Sequence, residues 1–255
     1  MKTTELVKIL DEIFPPEKAC EGDNSGLNAE GDREVEGIYT CLDINREVLA
    51  DAEKQGCNFI VCHHPVLFFP TNKITAKNNT LLISAMRKGI SIYAAHTPAD
   101  IMEGGINDKL FRMLGGGIVS KMLCPDGIGR VGAMTGPSTL SALSAKAKAE
   151  LQDNHIKTIG SPNTIITKIA VIGGAGGGDA VNLEYAKEAG AEVLITGDIK
   201  HHVACYSREL GMSMISVGHY ESEVIFAGIA YELINKKLNG KIKVVLSKLN
   251  TNPFN

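Results

Sequence analysis

Two stretches of this chain follow one layout. AMRKGISIYAAHTPAD, starting at Ala85, and SRELGMSMISVGHYESE, starting at Ser207, each run from a basic helix end through glycine and an alternating apolar strand to a histidine, with a carboxylate four residues on. His96 matches His219 and Asp100 matches Glu223 at a common offset. A unit carried twice in this way implies a diverged internal duplication, so the rest of the chain has to supply two comparable halves.

The surrounding pattern does so. An N-terminal helix of about Thr4 to Phe14 stops at Pro15 and Pro16, where the chain loses its backbone donors. Three apolar runs follow: GIYTCLDI from Gly37, NFIVCHH from Asn58 and ISIYAAH from Ile90, separated by amphipathic segments starting at Asn45 and spanning about Asn79 to Lys88. The second series reads KIAVIGG from Lys168, EVLITGD from Glu192 and MSMISVGH from Met212, with helical segments of about Asp179 to Ala189 and Ile199 to Leu210 between them. Gly56, Gly89, Gly190 and Gly211 close the helices.

Strand and helix in turn predict an α/β fold of two similar α/β domains, with mostly parallel sheets flanked by helices. The stretch Gly115 to Thr167 adds a strand, RVGAMTG from Arg130, and a helix of about Ser138 to Leu151. A long helix of about Ser222 to Leu238 leads to KIKVVLS, a strand free to return to the first sheet. With a boundary near Leu114, residues 1–114 plus 224–255 form the first domain and 115–223 the second.

Composition narrows the function classes. The 26 basic and 29 acidic residues are spread without long runs and leave a formal net charge of −3, which argues against nucleic acid held on a basic face. MKTTELVKILDEIF carries acids where a signal peptide needs an apolar core, and no stretch reaches the ~18 apolar residues of a membrane span. The expectation is a soluble cytoplasmic protein without a membrane partner. Cys20, Cys41, Cys57, Cys62, Cys124 and Cys205 fall at irregular spacings without C-x-x-C, so reduced core thiols are expected rather than a disulfide framework or thiolate cluster.

Six of the seven histidines (His63, His64, His96, His201, His202 and His219) end a predicted strand or lie just beyond it. In open parallel sheets, ligands bind outside the carboxyl ends of the strands, so these imidazoles lie on the functional edge. His63 and His64 precede Pro65; adjacent residues of an extended chain face opposite ways, so the pair suits two neighbouring ions better than one, or else one structural and one surface histidine. Asp100 also fits a turn or helix cap, and Glu223 an ordinary helix-start acid. Together they form a nitrogen and oxygen donor set suited to Zn, Mn, Fe, Co or Ni. Two such ions ~3.5–4 Å apart would lower the pKa of a bridging water and polarise a carbonyl or phosphoryl oxygen, which is hydrolytic chemistry.

Asp198 and His201, in TGDIKHH, together with His96, are candidates for general acid–base work, with His202 open between that role and a solvated helix surface. The run VIGGAGGGDA, Val171 to Ala180, lacks both the dinucleotide and P-loop fingerprints. Its glycines 173–178 read as a turn, and no dinucleotide cofactor is expected. GDNSGLN, from Gly22, reads as a loop.

The ordered set DNSGL (Asp23 to Leu27), IVCHHP (Ile60 to Pro65), HTPAD with GGIND after it (His96 to Asp108), TGDIKHH (Thr196 to His202) and GHYESE (Gly218 to Glu223) resembles the NIF3-like family, also described as type 2 GTP cyclohydrolase I homologues. The resemblance implies a metal cleft between the two α/β domains. Its ligands would be His63, His64, Asp100 and His219, with Glu223 as the bridging carboxylate and His96 beside them. It implies two divalent metal ions, a nucleotide or related heterocycle as small-molecule substrate attacked by a metal-bridged hydroxide, and a homo-oligomeric ring, a hexamer. The alternative is a non-catalytic metal-binding scaffold acting through that ring. Two departures stand out. Gly22 occupies a place where many relatives have tryptophan, and residues 115–167 are too few for the domain some relatives insert between the halves.

Overall fold

A computed structural model describes residues 1–254. The chain separates into two compact units, Met1–Met102 with Val224–Asn255, and Glu103–Glu223.

The first unit opens with α1 (Thr3–Ile13), whose Leu6 and Leu10 are fully buried, and a short edge strand β1 (Gly26–Ala29). Then β2 (Gly37–Cys41), α2 (Arg46–Lys54), β3 (Phe59–Cys62), α3 (Thr80–Arg87) and β4 (Ser91–Ala94) alternate, and the five-residue α4 (Thr97–Ile101) follows. Asn45 caps α2 by accepting from the Val48 N–H, which satisfies one of the donors a helix start leaves open.

In the second unit come α5 (Ile106–Met113), β5 (Gly116–Met122), β6 (Arg130–Thr139), α6 (Leu140–Leu151) and β7 (Lys157–Ile159). They are followed by β8 (Ile165–Ile172), α7 (Ala180–Glu188), β9 (Val193–Thr196), α8 (His201–Glu209), β10 (Ser213–Ser216) and the five-residue α9 (His219–Glu223). Finally α10 (Ile225–Leu238) and β11 (Lys243–Leu246) rejoin the first unit. None of the described helices is long and apolar enough to cross a membrane.

The sheets bear out the α/β reading but are mixed, and the second is not mostly parallel, with three antiparallel pairings to two parallel ones. In the first, of order β1-β4-β3-β2-β11, every pairing is parallel except β1 with β4. In the second, of order β5-β6-β8-β9-β10-β7, the parallel core is β8-β9-β10, and β5, β6 and β7 add antiparallel pairings. Within each sheet the same arrangement recurs. An N-terminal helix leads to a short strand, which pairs antiparallel with the third of three consecutive parallel strands. That third strand runs into a five-residue helix with a histidine at or just before its start and a carboxylate within it.

After each of those short helices, the next helix and strand join the other unit's sheet: α5 and β5 enter the second sheet, and α10 and β11 flank β2 in the first. The division therefore falls before α5 rather than after it, where the sequence boundary at Leu114 lay. Packing explains the difference. The Phe111 ring of α5 lies against β5 and β6 so closely that a Cβ on Gly116 would be 2.3 Å from it and one on Gly132 2.9 Å. Asp108 of α5 also forms a buried ion pair with Arg130 of β6.

Each sheet has an apolar core of its own. In the first unit, Tyr39, Ile60, Ile92 and Ala94 pack with Val48, Leu49, Leu82 and the buried thiols Cys41, Cys57 and Cys62. Burial raises the thiol pKa of all three cysteines, which keeps them protonated and inert. In the second, Val131, Ala170 and Leu194 pack with Leu183, Ala186 and Val203.

Candidate metal centre

At the carboxyl end of β3 the chain reaches His63 and His64, and at the end of β4 it reaches His96, which is the N-cap of α4. Because β3 and β4 are adjacent and parallel, their ends bring the three imidazoles together. The ring centroids are 4.9 Å apart for His63 and His64, 5.0 Å for His63 and His96, and 5.8 Å for His64 and His96. One ring nitrogen from each lies within 4.8 Å of the other two. His63 is fully buried and also packs on Phe226 of α10.

In all three, Nδ1 is committed elsewhere. His63 Nδ1 donates to the Ala95 carbonyl at 2.9 Å, His64 Nδ1 to Asp43 at 2.6 Å, and His96 Nδ1 to Asp23 at 2.8 Å. A carbonyl or ionised carboxylate only accepts, so Nδ1 carries a proton and Nε2 is the atom through which each ring could bind a metal ion. This is the arrangement in which outer partners fix the tautomer and orientation of metal-ligating histidines. Asp100, in the first turn of α4 and buried, presents a carboxylate oxygen 3.8 Å from His63 Nε2. That is too long for a hydrogen bond, yet within the ~4.2 Å that two ligands with bonds of about 2.1 Å to a shared ion can span.

The turn-rich DNSGL segment is what positions His96. Asp23 accepts from His96, from Ser25 Oγ at 2.7 Å and from both N–H and Oγ of Thr97, while Ser25 Oγ accepts from the His96 N–H at 3.1 Å. Burial pushes the Asp23 carboxyl upward, but these hydrogen bonds outweigh it and hold the group well below the usual range. Asp23 is thus an ionised carboxylate clasping the start of α4. By its residues this segment read as a loop, and although DNSGL entered the family resemblance, the spacing of Asp23 from His96 offered no sign of this role.

The second unit builds a corresponding donor pair at the end of β10. His219 opens α9 and Glu223 closes it, and four residues on a helix bring both side chains to one face. His219 Nε2 lies 2.9 Å from Glu223, and its Nδ1 lies 2.7 Å from Asp198, which holds a left-handed backbone with φ 51° just beyond β9. The hydrogen bond to Glu223 raises the His219 pKa to about 9, against the opposing effect of burial and with further help from Asp198. To serve as a ligand, this ring must release its Nε2 proton.

The glycine run after β8 belongs to this pair. A Cβ on Gly174, whose φ is +65°, would lie 1.9 Å from Glu223 Oε1 and 3.2 Å from His219 Nε2. The neighbouring N–H groups are held by Asn107 and Ser222: Gly173 N–H donates to Asn107 Oδ1 and Gly174 N–H to Ser222 Oγ, both at 2.9 Å. The missing side chain makes room for a carboxylate.

Of the other candidates, Asp198 is committed to His219, whereas His201, exposed at the start of α8, directs Nε2 at Cys205 Sγ at 3.5 Å. His202 is exposed. His96 joins His63 and His64. The residues to which sequence reading gave no part in the site are the positioning acids Asp23, known only as the start of a family motif, and Asp43, together with Gly174, read as part of a turn. Asp43 lies two residues beyond β2 and also accepts from Thr251 at 3.1 Å. Replacing it with Ala is expected to lower divalent-metal affinity about 10- to 100-fold by releasing the His64 ring. Titration with a competing chelator checks this, and unchanged affinity would remove Asp43 from the metal-positioning set.

These donor groups are able to hold metal ions, and whole-chain comparison places the chain in a family. The family model described as Duf34/NIF3 (NGG1p interacting factor 3) matches residues 1–253. The chain belongs to the Duf34/NIF3 family. Among family relatives, a Clostridium perfringens protein named GTP cyclohydrolase 1 type 2 homolog is 33% identical, over 100% of this chain and 99% of that one. A Lactococcus lactis protein of the same name is 31% identical, again over 100% and 99%. A hypothetical protein from Staphylococcus aureus has a solved structure with TM-score 0.90 at 27% identity, covering 100% of this chain and 99% of that chain.

Proposed function

We propose that this Duf34/NIF3 protein is a metal-dependent hydrolase acting on a nucleotide or related heterocycle. Two divalent ions would be held by His63, His64 and Asp100 of the first unit and by His219 and Glu223 of the second. The observation that carries this reading is the commitment of Nδ1 in His63, His64 and His219 to an acceptor, two of them carboxylates. A surface histidine has no need of such a tether, whereas a ligand ring does.

When bound, such ions act as Lewis acids toward a carbonyl or phosphoryl oxygen and make water acidic near neutral pH. The chain supplies the rest. Asp43 and Asp198 hold the His64 and His219 rings, and Asp100 and Glu223 bring negative charge to balance the ions. His96, partly exposed and fixed through Nδ1 by ionised Asp23, is the side chain assigned to exchange a proton with substrate. GTP is the first substrate to test, because the curated relatives carry the name of a GTP cyclohydrolase homologue. The expected assembly is a homo-oligomer, a hexamer, which light scattering would reveal.

The test is turnover of GTP and a panel of phosphoesters by metal-loaded protein, beside Glu223→Ala. We expect turnover that falls to background in the variant. Turnover unchanged in Glu223→Ala would count against this site, and a wild type that binds metal but turns over nothing would favour the non-catalytic scaffold.

A further inference from the structure

Immediately after the histidine pair, the chain leaves the core and places two aromatic rings in the open. Val66 and Leu67 pack onto the first unit's apolar cluster, whereas Phe68 is 44% exposed and Phe69 78% exposed. Aromatic rings of this size normally bury their area, so an exposed adjacent pair calls for a reason. The pair is held on its approach side: Asn24 Nδ2, from the same segment that fixes His96, donates to the Leu67 carbonyl at 2.5 Å. The Phe68 ring then stands edge-on to His96, with centroids 5.7 Å apart and planes at 78°, and edge-on to Phe69, at 5.0 Å and 79°. Neither neighbour is stacked on it.

We propose that Phe68 is a positioning residue that stacks the planar base of the substrate beside His96, with Phe69 forming a flanking wall. The proposal rests on the hydrolase reading for its substrate class. A base lying on a ring one side chain from His96 is close to the donor histidines, and every purine or related heterocycle presents a π-face to such a platform. Specificity would come from the base, because Phe68 offers no hydrogen bond with which to recognise phosphate or sugar.

The natural chain has no tryptophan, so a single substitution makes a clean reporter. In Phe68→Trp, guanosine and GTP are expected to quench indole fluorescence saturably, and ribose 5-phosphate is expected not to. By isothermal titration, Phe68→Ala is expected to weaken guanosine binding about five- to a hundredfold, with Phe68→Tyr restoring most of it. The ring is partly exposed, so the fold should tolerate all three changes; circular dichroism checks this.

Equal binding of guanosine by the wild type and Phe68→Ala, or no saturable quenching in Phe68→Trp, would overturn the stacking role even if GTP is turned over. Base-dependent quenching without turnover would support the platform while removing the hydrolase reading. Quenching that depends on protein concentration and not on nucleoside would assign the rings to contact with a second copy and overturn the proposal.

Discussion

Purified protein carrying His63→Ala together with His219→Ala is expected to retain no more divalent metal, by elemental analysis after desalting, than wild-type protein stripped with chelator. The two residues belong to different units, and each stands beside a buried carboxylate proposed as a ligand: His63 at 3.8 Å from Asp100 and His219 at 2.9 Å from Glu223. Removing both deprives each carboxylate of its imidazole partner. His63→Ala also deletes a fully buried side chain and its bond to the Ala95 carbonyl, at a cost of about 2–5 kcal/mol. His63→Gln with His219→Gln therefore serves as the second variant, since glutamine fills more of the space. Wild-type metal content in either folded double variant would refute the ligand assignment.

The periodicity of the chain made the parallel strands and their helices legible, because each apolar run is bounded by a cap or glycine that acts locally. Asn45, Gly89 and Gly211 do their work within a few residues of where they stand. The matched histidine and carboxylate positions were legible for the same reason: a histidine at or just before the start of a five-residue helix and an acid four residues on are tied by sequence spacing alone.

What escaped reading is long-range. The strand β1, four residues drawn from a turn-rich segment, exists because it pairs with β4, and nothing in GLNA signals that partner. Likewise α5 is amphipathic in any setting, and only Phe111 meeting Gly116 and Gly132 assigns it to the second sheet. Asp23 and Asp43 look like loop acids until strand pairing brings them to His96 and His64, across 73 and 21 residues of chain. The donors of a site can thus be read from local pattern, but the groups that orient them depend on tertiary structure.

Gly174 carries the sharpest consequence of that dependence. Gly174→Ala is expected to lower both thermal stability and metal affinity, for two separable reasons. Its φ of +65° costs an L side chain roughly 1–2 kcal/mol wherever it occurs. Its Cβ would in addition lie 1.9 Å from Glu223 Oε1, so the carboxylate must move away from its place against His219.

Gly211 supplies the control, because its φ is +66° and nothing lies within 4 Å of a Cβ placed there. Gly211→Ala should therefore show the backbone cost alone, with metal affinity untouched. Gly174→Ala should add the displacement of Glu223 to the same backbone cost, seen as a further drop in the unfolding midpoint and at least a tenfold loss of metal affinity, about the size of losing an outer-shell support. The two variants losing equal stability while both keep wild-type metal affinity would mean that Glu223 has room to rearrange, and the glycine run would then be only a turn.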